Sequence, residues 1–130
     1  LVKKITTHEE VTNPNTVKVV VDAGGNGIYF SRSPIPYLRD QGDTKTWHKH
    51  HVYYKHFGLY AYRRELLMKF SAWEESSLEL AEKLEQLRII EHGVKIKTSV
   101  TTFDSIPIDT ADDAERVRAV LQSQQPAGKQ

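Results

Sequence analysis

A strand, a turn cluster and a second strand near the N-terminus constrain this chain more than any other segment. Val17-Lys18-Val19-Val20-Val21 is β-branched at four of its five positions, which favours an extended and largely buried backbone. Asp22-Ala23-Gly24-Gly25-Asn26-Gly27 follows as a run of turn formers, and Ile28 to Ser31 returns. The pattern predicts a β-hairpin with a longer loop. Asn13-Pro14-Asn15 marks a turn before it. In Ser33-Pro34-Ile35-Pro36-Tyr37 each proline pushes its predecessor towards extended geometry, so no helix forms there. Residues 38–51 are polar and lack a consistent period, which predicts a surface loop.

Further along, Tyr53 to Tyr62 alternates and is rich in aromatics, predicting a strand around 55–62. Arg63 to Phe70 suits a short helix carrying Leu66, Leu67 and Phe70. Ser76-Ser77-Leu78-Glu79 has the spacing of a capping box, in which hydroxyl and carboxylate satisfy free N–H groups. Leu80, Leu84 and Leu87 then recur at helical spacing up to Gly93, predicting one helix over 78–92 with a Glu79–Lys83 pair on its surface. Val94 to Val100 alternates as a half-exposed strand. Asp109-Thr110 introduces a last helix with Asp112 and Asp113 in its first turn. Gln122 to Gln130 has almost nothing to bury and is expected to be a disordered tail, leaving 1–121 as the folded portion. This order of elements indicates an α/β unit with a mixed sheet and flanking helices.

Composition narrows the function classes. The 130 residues are enough for one domain. Eighteen Lys and Arg against 17 Asp and Glu give no overall field for holding a polyanion, so nucleic acid is not an expected partner. There is no cysteine, which removes disulfides, thiolate metal sites and cysteine nucleophiles together and fits a reducing compartment. No apolar run approaches the roughly 20 residues of a membrane-spanning helix. The N-terminus lacks an initiator Met and opens on what reads as a strand already under way, which leaves a processed, truncated or incompletely represented chain open.

Four blocks in order, Asn13-Pro14-Asn15-x-Val17-Lys18-Val19-Val20, Tyr29-Phe30-Ser31-Arg32-Ser33-x-Ile35-Pro36, His56-x-Gly58-x-Tyr60-x-Tyr62-Arg63 and Leu84-Glu85-Gln86-Leu87-Arg88, resemble the CMP-Kdo synthetase (3-deoxy-manno-octulosonate cytidylyltransferase) family. Asp109-Thr110 with Asp112 and Asp113 sits where that family has its late Asp-Thr segment. The resemblance covers nearly all of 13–121 and implies the C-terminal part of a nucleotide-diphospho-sugar transferase-like, Rossmann-like fold. It also implies a cytoplasmic homodimer acting on CTP and an acidic sugar (Kdo) with Mg2+. The family's Pro-Ala-Arg nucleotide loop and Gln-Gly-Asp segment are not found here. The expectation is a chain carrying the sugar-acid side that does not complete the reaction alone. Two departures, Ala61 for a usual Gly and Ala111 for a usual Pro, carry no chemistry.

The resemblance also assigns roles. Asp109 is implied as a catalytic magnesium ligand; magnesium prefers hard oxygen donors and is typically held by one or two carboxylates plus substrate oxygens. Read alone, Asp109 is better explained as a helix cap. Arg32 is implied to line the active site and meet anionic groups, work its planar fork suits; otherwise it is a solvated arginine. His56 and Tyr60, four apart on the predicted strand, would share a face and bind sugar hydroxyls. Without the family they read as core residues. Glu85 and Gln86 supply a mixture of acceptors and donors for a polyhydroxylated ligand, and Arg88 would support Glu85.

Two other constellations fail. His48, His50 and His51 lie in the variable loop with no fixed ligand spacing. The Asp22–Gly27 run lacks the Walker lysine and is followed by a strand. Open alternatives are another acidic acceptor, an amino-Kdo or a phosphonate, and a folded, dimerising module without activity.

Overall fold

The computed structural model describes residues 1–103 together with 114–115, 117–119 and 121. The elements run β1 (Val2–Lys4), α1 (His8–Thr12), β2 (Lys18–Val21), β3 (Asn26–Ser31), α2 (Trp47–His50), β4 (Tyr54–His56), α3 (Arg64–Ala72), α4 (Ser77–Glu82), α5 (Gln86–Glu91) and β5 (Ile96–Lys97). Five strands form one sheet in the order β1-β4-β2-β3-β5, each neighbouring pair antiparallel. Beyond β5 the chain returns to β1, where Val2 bridges Val100 in parallel. The Val2 N–H donates to the Ser99 carbonyl, and the Thr101 N–H to the Val2 carbonyl, both at 2.9 Å. The sheet is therefore curled back towards its own first strand. This is the expected α/β class with flanking helices, its parallel component reduced to that bridge.

The predicted hairpin is present. Val19 pairs with Phe30, and the register shifts by a bulge between Val20 and Val21. At Gly27 a Cβ would lie 2.8 Å from the Phe30 ring, so the ring's seat against the strand excludes any side chain there. Val19 and Phe30 are buried with Val2, Leu84 and Leu87 in the main core, between the curled sheet and α5. Ile35-Pro36 is a cis peptide in the non-helical segment after β3.

Four expectations need correction. Residues 38–51 are not merely a surface loop: a 3-10 turn (Thr44–Thr46) leads into α2, and Trp47 is buried in a second cluster with Ile5, Val11 and Tyr53. One indole in an otherwise polar segment is enough to anchor it, because aromatic burial carries a large share of apolar area. The strand predicted over 55–62 spans only Tyr54–His56. The strand predicted over 94–100 is two residues long.

The single helix over 78–92 is two helices. Lys83 adopts the left-handed conformation at φ 55°, and the Leu84 N–H reaches back to the Glu79 carbonyl at 3.3 Å, a helix-terminating bond. Glu79 does accept the Ser76 N–H at 3.2 Å, as the capping spacing predicts. Among the described residues it makes no close ion pair with Lys83, whose charge adds only the last of the attractions acting on it. Its carboxylate instead accepts the Arg88 Nε–H at 2.6 Å and a second N–H from Nη2 at 2.5 Å. That fork joins α4 to α5, and Arg88 also lies over Phe70 of α3 at 4.8 Å. Arg88 therefore bonds to Glu79, and Glu85 contributes only a weaker attraction to it. Gly93, at φ 73°, ends α5 as expected. Residues 114–115, 117–119 and 121 are helical, within the predicted last helix. The expected helix start at Asp109 and the tail over 122–130 lie outside the described residues.

Candidate functional site

β4 stops at His56 because the chain turns sharply: the Leu59 N–H donates to the Phe57 carbonyl at 2.7 Å, the two-residue closure of a γ-turn. His56 and Tyr60 consequently do not share a strand face. The turn nevertheless brings their rings to 5.3 Å between centroids. Tyr62 stacks on Tyr60 at 5.7 Å, and Phe30 meets His56 edge-on at 5.1 Å.

These rings wall a cavity of about 470 Å³, into whose lining Arg63, Leu66, Ile89, Lys95 and Lys97 also enter. Among the described residues, two polar atoms there are buried without a hydrogen-bond partner, His56 Nε2 and the Tyr60 hydroxyl oxygen. Unpaired buried polar atoms are rare in folded proteins and call for an explanation. Burial holds the His56 imidazole down at about 4, so it is neutral at pH 7. The Tyr60 phenol is pushed up by burial, then by Tyr62 and by the Glu85 carboxylate. Burial and Glu85 act on Tyr62 in the same direction. Glu85 thus places its charge beside the ring cluster, although it does not line the cavity.

Arg32 sits on the other side of the α4–α5 junction and is heavily engaged. Its Nε–H donates to the Glu82 carbonyl at 2.8 Å, Nη1 to the Pro14 carbonyl at 3.1 Å, and Nη2 to the Lys83 carbonyl at 3.5 Å. Glu82 answers with its carboxylate, accepting the Arg32 backbone N–H at 3.0 Å and the Ser31 hydroxyl at 2.5 Å. The buried Lys18 ammonium donates to the Arg32 and Asn13 carbonyls. Desolvation lowers Lys18 to about 8, with Glu82 opposing and Arg32 adding to the shift. Arg32 is therefore a tie between β3 and the end of α4, and it lies outside the cavity lining. Gln86 is buried in the first turn of α5, also outside that lining.

Of the six residues singled out in the sequence, His56 and Tyr60 meet at the cavity, with Glu85 beside them. Arg32 and Gln86 flank the α4–α5 junction. Asp109 lies outside the described residues. The described donors around the cavity are imidazole, phenol, guanidinium and ammonium groups, a set without the carboxylate oxygens magnesium prefers. Among the described residues no group of three or more His, Asp or Glu could hold a metal ion, so these residues alone do not fit one. Sequence reasoning gave no role to Tyr62 and Arg63, although both stand in the His56–Arg63 block. Lys18 and Glu82 gave no signal beyond ordinary charge.

A solved structure of CMP:2-keto-3-deoxy-manno-octonic acid synthetase complexed with CTP superposes with a TM-score of 0.83 at 40% identity, covering 95% of this chain and 48% of that one. The curled sheet with its ring-walled pocket thus belongs to the nucleotide-sugar transferase class of α/β folds. The Cytidylyltransferase family matches residues 1–96, and the chain belongs to that family. It is 51% identical over 117 residues to the 3-deoxy-manno-octulosonate cytidylyltransferase of Cytophaga hutchinsonii, covering 90% of this chain and 47% of the relative. The enzyme of the same name from Koribacter versatilis is 50% identical over 116 residues, covering 88% and 42%. The chain spans just under half the length of these relatives.

Proposed function

We propose that this chain is part of a CTP-dependent cytidylyltransferase that forms CMP-Kdo, and that these residues supply the acidic-sugar pocket. In the reaction an oxygen of the sugar's anomeric hydroxyl bonds to the α-phosphorus of CTP. The bond from that phosphorus to pyrophosphate breaks, and the hydroxyl proton is released. The observation that carries the reading is the pair of partnerless buried atoms, His56 Nε2 and the Tyr60 hydroxyl, facing one cavity. A neutral imidazole and a phenol can each donate or accept, which suits sugar hydroxyls. Relatives about half identical over some nine-tenths of the chain, named for this activity, support the substrate.

Arg32 is proposed to hold the Ser31–Ser33 backbone and the α4–α5 junction in place, presenting its remaining N–H groups to anionic substrate. Glu85 and Gln86, which do not line the described cavity, are proposed to meet sugar hydroxyls that extend beyond it. Magnesium is the cofactor the resemblance implies, with Asp109 as a ligand; it would neutralise charge developing on the phosphate. A homodimer and a cytoplasmic setting belong to the same proposal. No helix among the described residues is long and apolar enough to cross a membrane.

The test joins this chain to the N-terminal half of the Cytophaga hutchinsonii relative and follows pyrophosphate release from CTP and Kdo. Turnover is expected, and Asp109→Ala should lower it roughly a hundredfold or more. An unchanged rate in folded Asp109→Ala protein removes the metal assignment. Absence of Kdo-dependent release removes the function.

A further inference from the structure

Among the described residues the cavity beside His56 is lined by three cationic side chains, Arg63, Lys95 and Lys97, one of which is already engaged. Lys97 donates its ammonium to the Gly24 carbonyl in the β2–β3 turn. The Lys95 side chain has no hydrogen-bond or ion-pair partner among the described residues and adds only a weak attraction to the Asp22 carboxylate of the same turn. The Arg63 side chain likewise has no hydrogen-bond or ion-pair partner among the described residues, its carbonyl accepting the Leu67 N–H at 3.0 Å, but it brings a guanidinium rather than an ammonium to the lining it shares with His56 and Tyr60.

Its placement is well determined. Tyr62, the preceding residue, is stacked between Tyr60 at 5.7 Å and Phe70 at 6.0 Å. Arg63 itself is the extended residue that caps α3, at φ −67° and ψ 140°. Ring stacking on one side and a helix on the other hold its Cα while the long side chain stays free at the cavity. A guanidinium presents a planar fork of N–H groups that matches a carboxylate through two parallel bonds.

We propose that Arg63 is the specificity-determining residue of this cavity, pairing with the carboxylate of an acidic sugar whose hydroxyls meet His56 and Tyr60. The inference rests on the reading of the cavity as an acidic-sugar pocket and deepens it by naming the group that recognises the acid. It separates the work of the two arginines: Arg32 is tied to three carbonyls, whereas Arg63 is uncommitted.

The test is calorimetry on the 130-residue chain with Kdo and with its methyl ester, which keeps the hydroxyls and removes the charge. The wild-type chain should bind the acid roughly tenfold or more tightly than the ester. Arg63→Gln should bind both alike, at the ester's affinity, and Arg63→Lys should recover part of the preference by retaining charge without the fork. His56→Gln should weaken acid and ester together. If Arg63→Gln keeps the preference for the acid while His56→Gln weakens both ligands, the role of Arg63 is wrong and the pocket stands. If nothing binds, or His56→Gln changes neither affinity, the pocket and the role of Arg63 fall together. Circular dichroism of each variant separates loss of binding from loss of fold.

Discussion

His56 and Tyr60 come together by a different route from the one their spacing suggested. Alternation in Tyr53–Tyr62 put His56 and Tyr60 on one strand face, but the γ-turn after Phe57 ends the strand and folds Tyr60 back against His56. Alternating aromatics mark chain that covers an apolar cavity as readily as they mark a strand. Burial that lowers His56 from an ordinary 6.5 to about 4 also makes a pH prediction. Between these values the unfolded chain takes up a proton that the folded chain refuses. Stability from this group is therefore complete above pH 7 and declines as pH falls towards 4, by about 3 kcal/mol in all. Urea melts at stepwise pH should show that decline, and His56→Gln should remove this component of the slope.

At the scale of elements the junction between α4 and α5 was the feature least visible in the sequence. Leu80, Leu84 and Leu87 have the spacing of one continuous stripe, yet Leu80 is 45% exposed while Leu84 and Leu87 are buried. The break at Lys83 comes from tertiary bonds: Arg32, about fifty positions earlier, takes the Glu82 and Lys83 carbonyls. Local pattern carries no information about such a partner. The hairpin, by contrast, was legible because its turn chemistry and β-branching are local. Lys83 pays the left-handed penalty of an ordinary side chain, so Lys83→Gly should raise stability by about 1 kcal/mol in a denaturant titration. Arg88 works in the opposite sense. Arg88→Met leaves the buried Glu79 carboxylate without its fork and should cost about 3 kcal/mol by the same measurement.

For the molecule as a whole, the α/β class followed from the succession of elements and the kind of fold from the family resemblance, whereas the curl of the sheet followed from neither. Closure depends on Val2 meeting Val100, two residues nearly a hundred positions apart with no local signature. That closure brings the segment after α5 against β1, so that Lys95 and Lys97 join His56, Tyr60 and Arg63 around one space. The pocket is a product of the whole chain. Its rings make it directly observable: 13C-edited NMR of the aromatic side chains follows His56 and Tyr60 while Kdo is added to the 130-residue protein. The expected result is a saturable shift of both rings along one binding curve, with the distant Trp47 and Tyr53 unmoved. Rings that stay still at His56 and Tyr60 up to millimolar sugar acid, or a response confined to Trp47 and Tyr53, contradict the assignment of this cavity.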